Sequence, residues 1–214
     1  MSNHTKIILI RHGETEWNVA GRMQGRMDSP LTARGEVQAK KHGEVIHGLE
    51  GVDAMYVSSA GRTRHTADLV NASLGVSIAY SDALLERDCG TWQGKTLAEV
   101  AEFDQEGIVQ RQTNPVDHRP GGGENLADMR ARFEPLVAEL MQVDRLAVVT
   151  HGVMSKVMLG YFLELDGDKT RRVRHPNDLF YRVRFSDGVV AVDFFQQTEA
   201  GEVCTVPGLS LHEV

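Results

Sequence analysis

Two short apolar runs constrain this chain more than any other feature. Ile7-Ile8-Leu9-Ile10 leads directly into Arg11-His12-Gly13, and Leu146-Ala147-Val148-Val149-Thr150 leads into His151-Gly152. Continuous apolar stretches this short read as strands covered on both faces, the pattern of a parallel sheet packed between helices. In such sheets ligands bind beyond the carboxyl ends of the strands. The runs therefore predict His12 and His151 at one functional edge, with Arg11 beside the first. The glycine after each histidine permits a sharp turn or a close approach by a ligand.

Further strands are expected over Ala54–Val57, Ser77–Tyr80, Phe180–Phe185 and Val189–Phe195, the last two joined by Ser186-Asp187-Gly188 as a hairpin. Helices are expected over 32–47, 60–74, 97–103, 125–143 and 153–163. In the fourth, Leu126, Met129, Phe133, Leu136, Leu140 and Val143 form a core-facing stripe, and Pro135 inside it demands a bend or an earlier end. The expected fold is α/β, a three-layer α/β/α sandwich with a mostly parallel central sheet and an antiparallel edge hairpin. Residues 1–214 read as one domain with an irregular, lid-like insertion at about 88–124. Gly121-Gly122-Gly123 in that insertion is not a phosphate-cradling P-loop, since no strand precedes it and no Lys-Ser/Thr follows. The tail from Gly201 carries no readable pattern.

A net charge of −7 argues against nucleic-acid or membrane-surface partners. The densest basic stretch, Arg171-Arg172-Val173-Arg174, is flanked by Asp166, Asp168 and Asp178 and reads as a solvated turn. Cys89 and Cys204 are too few for a disulfide framework or a zinc cluster. The lead from Met1 to Lys6 is too short for a signal peptide or a span, so a cytoplasmic location is expected. His42 and His47 face different ways on a helix and no metal motif occurs, so neither metal nor cofactor is expected. Phe194-Phe195 on the late hairpin suits either this chain's own core or a homodimer contact, and the sequence leaves both open.

The ordered motifs resemble the histidine phosphatase superfamily, also called phosphoglycerate mutase-like. They are Leu9-Ile10-Arg11-His12-Gly13-Glu14-Thr15 with Trp17-Asn18, Gly21-Arg22-Met23-Gln24-Gly25, Asp28, Pro30-Leu31-Thr32, Ser58-Ser59 with Arg62 and Thr66-Ala67, Leu85-Glu86, Gly90-Thr91-Trp92-Gln93-Gly94, Gly123-Glu124 and Thr150-His151-Gly152. The resemblance implies transfer of a phosphoryl group onto His12, whose neutral imidazole can attack phosphorus in line with the leaving oxygen. It implies Arg11, Arg62 and His151 around the phosphate, with Asn18, Gln24 and Gly25 as further contacts, because planar guanidinium groups hold the equatorial oxygens by paired hydrogen bonds. It also implies Glu86 as acid and base. From the residues alone Arg64 rivals Arg62 and Glu14 rivals Glu86; the family spacing selects Arg62 and Glu86 and leaves Glu14 to orient its neighbours.

Mutases similar to this family usually read Glu-Arg-His-Tyr-Gly at the acid/base, followed by a basic insertion. Here the stretch is Glu86-Arg87-Asp88-Cys89-Gly90. The departure favours water as final acceptor, and hence a metal-independent phosphatase acting on a small phosphorylated metabolite, over a mutase. A phosphate-binding module without turnover ranks third, because no expected site residue is lost. Arg87, Lys95, Arg111 and Arg119 are candidates for a second anionic group on the substrate.

Overall fold

The structure, a computed structural model, describes residues 6–198 and 202–212. Most of the lead from Met1 to Lys6, and Gly201 at the start of the tail, lie outside the described residues. Among the described residues, seven strands form one mixed sheet: β1 (Lys6–Arg11), β2 (Ala54–Ser58), β3 (Ser77–Ser81), β4 (Arg145–Thr150), β5 (Leu179–Ser186), β6 (Val189–Gln197) and β7 (Val203–Pro207), in the order β3-β2-β4-β1-β5-β6-β7. The first four in that order run parallel, and β5, β6 and β7 add an antiparallel extension.

Period-two alternation sends neighbouring side chains of β1 and β4 into opposite layers. Ile7, Leu9, Leu146 and Val148 pack with Met129 and Phe133 of α6 (Leu126–Phe133), Leu140 of α7 (Val137–Leu140) and Met154 and Met158 of α8 (Gly152–Phe162). Ile8, Ile10, Ala147 and Val149 pack with Ala39 and Ile46 of α2 (Ala33–Gly48) and Ala67 and Val70 of α3 (Gly61–Leu74). Each buried Ile or Leu stabilises the fold by about 1.5–3 kcal/mol, so the apolar runs owe their continuity to two covered faces. The chain leaves β1 toward the α2 layer and leaves adjacent β4 toward the α8 layer. The crevice between these departures is where an open α/β sheet binds its ligand.

The α/β sandwich and the mostly parallel sheet agree with the expectation, and three details differ. The stripe from Asn125 is not one helix: a 3₁₀ turn over Glu134–Leu136 separates α6 from α7 at Pro135, which lacks a backbone donor. The insertion holds α4 (Leu97–Ala101) and an unforeseen α5 (Gln105–Thr113), N-capped by Asp104, whose mostly polar sequence gives no apolar stripe. The tail supplies β7, an edge strand that is largely exposed and so lacks the alternation by which strands are read. Phe194 and Phe195 pack into this chain's own two core layers.

Two of the three glycines, Gly121 and Gly123, pack against the stretch after Glu86. A Cβ on Gly90 would lie 2.0 Å from the Gly121 carbonyl oxygen, and one on Gly123 would lie 2.1 Å from that of Asp88. Bare backbones thus let the stretch after Glu86 lie against the turn at 120–123. α1 (Glu16–Val19) and α9 (Gly167–Arg172) complete the helices of the described residues, none of which is long and apolar enough to cross a membrane.

Candidate active site

Strand register builds the centre of the site. Arg11 and Thr150 are the last partners of the parallel β1–β4 ladder, so the next residue on each strand is a histidine. The His12 amide donates to the Thr150 carbonyl at 3.0 Å, and the two rings meet edge-on with centroids 5.4 Å apart. Nδ1 of His12 lies 2.8 Å from the Gly13 carbonyl oxygen. A carbonyl only accepts, so Nδ1 carries the proton and Nε2 keeps its lone pair. Burial, then Arg11 and Arg62, hold the His12 imidazole well below its ordinary range and therefore neutral. Burial, then Arg62, His12 and Arg11, do the same for His151.

His12 lines a cavity of about 180 Å³ together with Arg11, Asn18, Gln24, Arg62 and Glu86. One Nη of Arg11 donates to the His175 carbonyl at 2.8 Å, and the His175 ring is itself tied to Ser155 Oγ at 2.7 Å and the Leu179 carbonyl at 3.0 Å. Arg62, in the first turn of α3 and 2% exposed, donates to the Met27 carbonyl at 2.7 Å, Asp28 Oδ1 at 3.0 Å and the Gly25 carbonyl at 2.8 Å. Nε of both arginines and Nδ1 of His151 are buried with no protein partner, whereas Nε2 of His151 meets Ser58 Oγ at 2.7 Å. Buried polar atoms are rarely left unsatisfied, and those without a protein partner are open to ordered water or a ligand.

The remaining expected contacts are spread around this centre. Asn18 closes a capping box with Thr15, its Oδ1 accepting from the Thr15 amide at 3.2 Å. Gln24 donates to Thr15 Oγ1 at 2.8 Å, and Gly25, at φ +53°, acts through its carbonyl on Arg62. Arg64 is turned away: it donates to the Ser59 carbonyl at 2.8 Å and stacks 3.9 Å over the Tyr80 ring. Glu14 accepts from Thr32 Oγ1 at 2.9 Å and faces Arg34.

Glu86 reaches the cavity from the opposite side, over the N-terminus of α8. Its Oε2 accepts from the Val153 amide at 3.1 Å, and its Oε1 from the amides of Met154 at 3.3 Å and Arg87 at 2.8 Å. Both flanks of Glu86 are tied down. Arg132 donates to the carbonyls of Asp82, Ala83 and Leu85, while Glu124 accepts from the Asp88 amide at 2.9 Å and pairs with Arg132 at 2.9 Å and Arg26 at 3.1 Å. Sequence reasoning missed Arg132, whose one signal is its place on the polar side of the α6 stripe. It also missed Val153, which lines the cavity and offers Glu86 its amide.

Residues 7–198 match the histidine phosphatase superfamily (branch 1). A protein of Citrobacter koseri named "Probable phosphoglycerate mutase GpmB" is 32% identical over 212 residues, covering 98% of each chain. The alpha-ribazole phosphatase of Shigella flexneri shares the fold, with a TM-score of 0.79 and 22% identity over 87% of this chain and 93% of that one. A mycobacterial glucosyl-3-phosphoglycerate phosphatase, solved in complex with VO3, gives a TM-score of 0.74 at 26% identity over 84% of this chain and 90% of that one. The chain belongs to the histidine phosphatase superfamily.

Proposed function

We propose that the protein hydrolyses a small phosphomonoester through a phosphohistidine on His12, without a metal, in the cytoplasm. The observation that carries this reading is the Nδ1–H to Gly13 carbonyl bond of a neutral, buried His12, which leaves Nε2 as a nucleophile between Arg11 and Arg62. Nε2 attacks phosphorus, the ester P–O bond breaks, and Glu86 gives the leaving oxygen its proton. Arg11, Arg62 and His151 stabilise the charge on the equatorial oxygens, with Asn18 and Gln24 completing the pocket. Water then attacks phosphorus while Glu86 takes its proton, the P–N bond breaks with its electron pair returning to Nε2, and phosphate leaves.

Phosphate release from a panel including p-nitrophenyl phosphate and 3-phosphoglycerate, in EDTA, with His12→Ala as blank, tests the reading. Release by the wild type alone is the expected result; no release from any compound overturns it. The name of the 32% identical relative favours a second reading, phosphoglycerate mutase. That reading expects ³¹P NMR to show 3-phosphoglycerate converting to 2-phosphoglycerate, with little free phosphate, once a bisphosphoglycerate primes His12.

A further inference from the structure

His12 and His151 are held by opposite nitrogens. In His12 a backbone carbonyl takes Nδ1, whereas in His151 a hydroxyl takes Nε2 and Nδ1 is left buried without a protein partner. The Gly13 carbonyl can only accept, which fixes the proton of His12 on Nδ1. A hydroxyl both donates and accepts, so the 2.7 Å contact between Ser58 Oγ and His151 Nε2 allows two arrangements.

The satisfaction of buried groups decides between them. Ser58 ends β2, one residue beyond the Val57–Val149 rung of the β2–β4 ladder, and both it and His151 are 0% exposed. Its carbonyl accepts from Thr63 Oγ1 at 2.8 Å, and among the described residues its hydroxyl has no hydrogen-bond partner besides His151. A proton on Nε2 would make Ser58 the acceptor. Its own O–H would then lack an acceptor, and Nδ1 would be a buried lone pair lacking a donor. A proton on Nδ1 instead lets Ser58 donate to Nε2, which satisfies both groups and leaves Nδ1–H alone waiting for a partner. Buried groups without partners are costly, so the arrangement with one prevails over the arrangement with two.

The charges nearby point the same way. Burial, then Arg62, His12 and Arg11, keep the His151 ring neutral, so only one of its nitrogens carries a proton. Those same three residues line the catalytic cavity, and an anion held among them lies beside His151. A phosphoryl oxygen only accepts. It is attracted by Nδ1–H and repelled by a bare Nδ1.

We propose that Ser58 is a positioning residue: by donating to Nε2 it holds His151 as the Nδ1–H tautomer, which can donate to a phosphoryl oxygen. The part that concerns phosphate rests on the phosphatase reading, and the tautomer does not. Both histidines then carry the proton on the same atom and do opposite work. His12 offers a lone pair to phosphorus and His151 offers a hydrogen to oxygen, because a carbonyl holds one ring and a hydroxyl holds the other.

The test is ¹⁵N NMR of histidine-labelled protein near neutral pH, with the His151 signals identified by their loss in His151→Gln. The wild type is expected to show a protonated Nδ1 and a bare Nε2. Ser58→Ala is expected to gain the Nε2–H form, with kcat/KM reduced about 10- to 100-fold for every ester, the effect of one charge-assisted hydrogen bond. Ser58→Cys keeps the volume but donates weakly. It follows Ser58→Ala if donation matters; if it follows the wild type, packing alone matters and the assignment fails. An Nε2–H ring in the wild type, an Nδ1–H ring retained in Ser58→Ala, or an unchanged kcat/KM beside a changed tautomer also overturns it. If no ester is turned over even by the wild type, the phosphatase reading fails, and wild type and Ser58→Ala are compared by titration with inorganic phosphate. Binding about tenfold weaker in the variant then supports the role of Ser58, and equal affinity sinks it.

Discussion

On the sheet side of the cleft, His12, Arg62 and His151 are 2%, 2% and 0% exposed, and the side chain of each is fixed by bonds to backbone or to Ser58. On the loop side, Arg87, Arg111 and Lys156 come from three separate segments and lack carboxylate partners among the described residues. The first wall is preorganised at the ends of the paired strands β1 and β4 and in the first turn of α3. The second takes Arg87 and Arg111 from segments around a small cluster of Cys89, Trp92 and Val100, and Lys156 from α8 of the main core. The chemistry proposed for His12 thus falls on the rigid wall, and the less constrained wall is the one built from loops, where proteins most readily vary their binding residues.

The comparison can be broken most directly at Arg62 and Glu86. Arg62→Gln removes a preorganised cation from the sheet wall, and kcat/KM is expected to fall about 10³-fold for every ester, whatever its leaving group. Glu86→Gln is expected to cost about 10²–10³-fold for alkyl phosphates and far less for p-nitrophenyl phosphate, whose leaving group needs no proton. Equal losses on both esters in the Glu86 variant would remove it from proton transfer.

Rigidity of the sheet wall is tested by acid. His42 on α2 donates Nε2–H to the Asn177 carbonyl and accepts at Nδ1 from Gln197, and Asn177 in turn donates to the His12 carbonyl. Burial lowers His42 from 6.5 to about 4. Between those values the unfolded chain binds the proton and the folded chain does not, so this contribution is whole above pH 6.5 and is lost as the pH falls toward 4. The full loss is roughly 3 kcal/mol. Urea titrations at neutral and acid pH should show a smaller pH-dependent loss in His42→Gln than in the wild type; identical losses would refute the assignment. A smaller effect is expected on the loop side, where Glu124→Gln leaves Arg132 and the Asp88 amide partly unsatisfied. We expect about a tenfold drop in kcat with melting temperature nearly unchanged, and a large melting shift instead would make Glu124 a folding residue.

The sheet wall was legible in the sequence for the same reason that it is rigid. Burial on both faces makes β1 and β4 continuous apolar runs, and register then brings His12 beside His151 with no further information. Arg62 was legible only through its family spacing, because by composition Arg64 competes with it and only the fold shows Arg64 on Tyr80. The loop wall was legible as a set of cations but not as an arrangement. Which of Arg87, Lys95, Arg111 and Arg119 converge depends on how the fold arranges α5, α8 and α9 around one chamber, and Lys156 carries no local signal at all. β7 escaped notice because an exposed edge strand has little apolar face to betray it.

The position of β4 also governs when the two histidines can meet during synthesis. β1 and β2 never pair with each other, because β4 lies between them and supplies the middle rung to both. A nascent chain that has not yet released residues 145–150 therefore holds three unpaired strand edges, both of β1 and one of β2, and lacks His151, however well α2 and α3 have formed. Closing this gap joins segments far apart in sequence, a slow kind of contact, and until then those open edges are surfaces on which neighbouring chains can mispair. The meeting of His12 and His151 thus waits on the strand that fills the sheet from its centre.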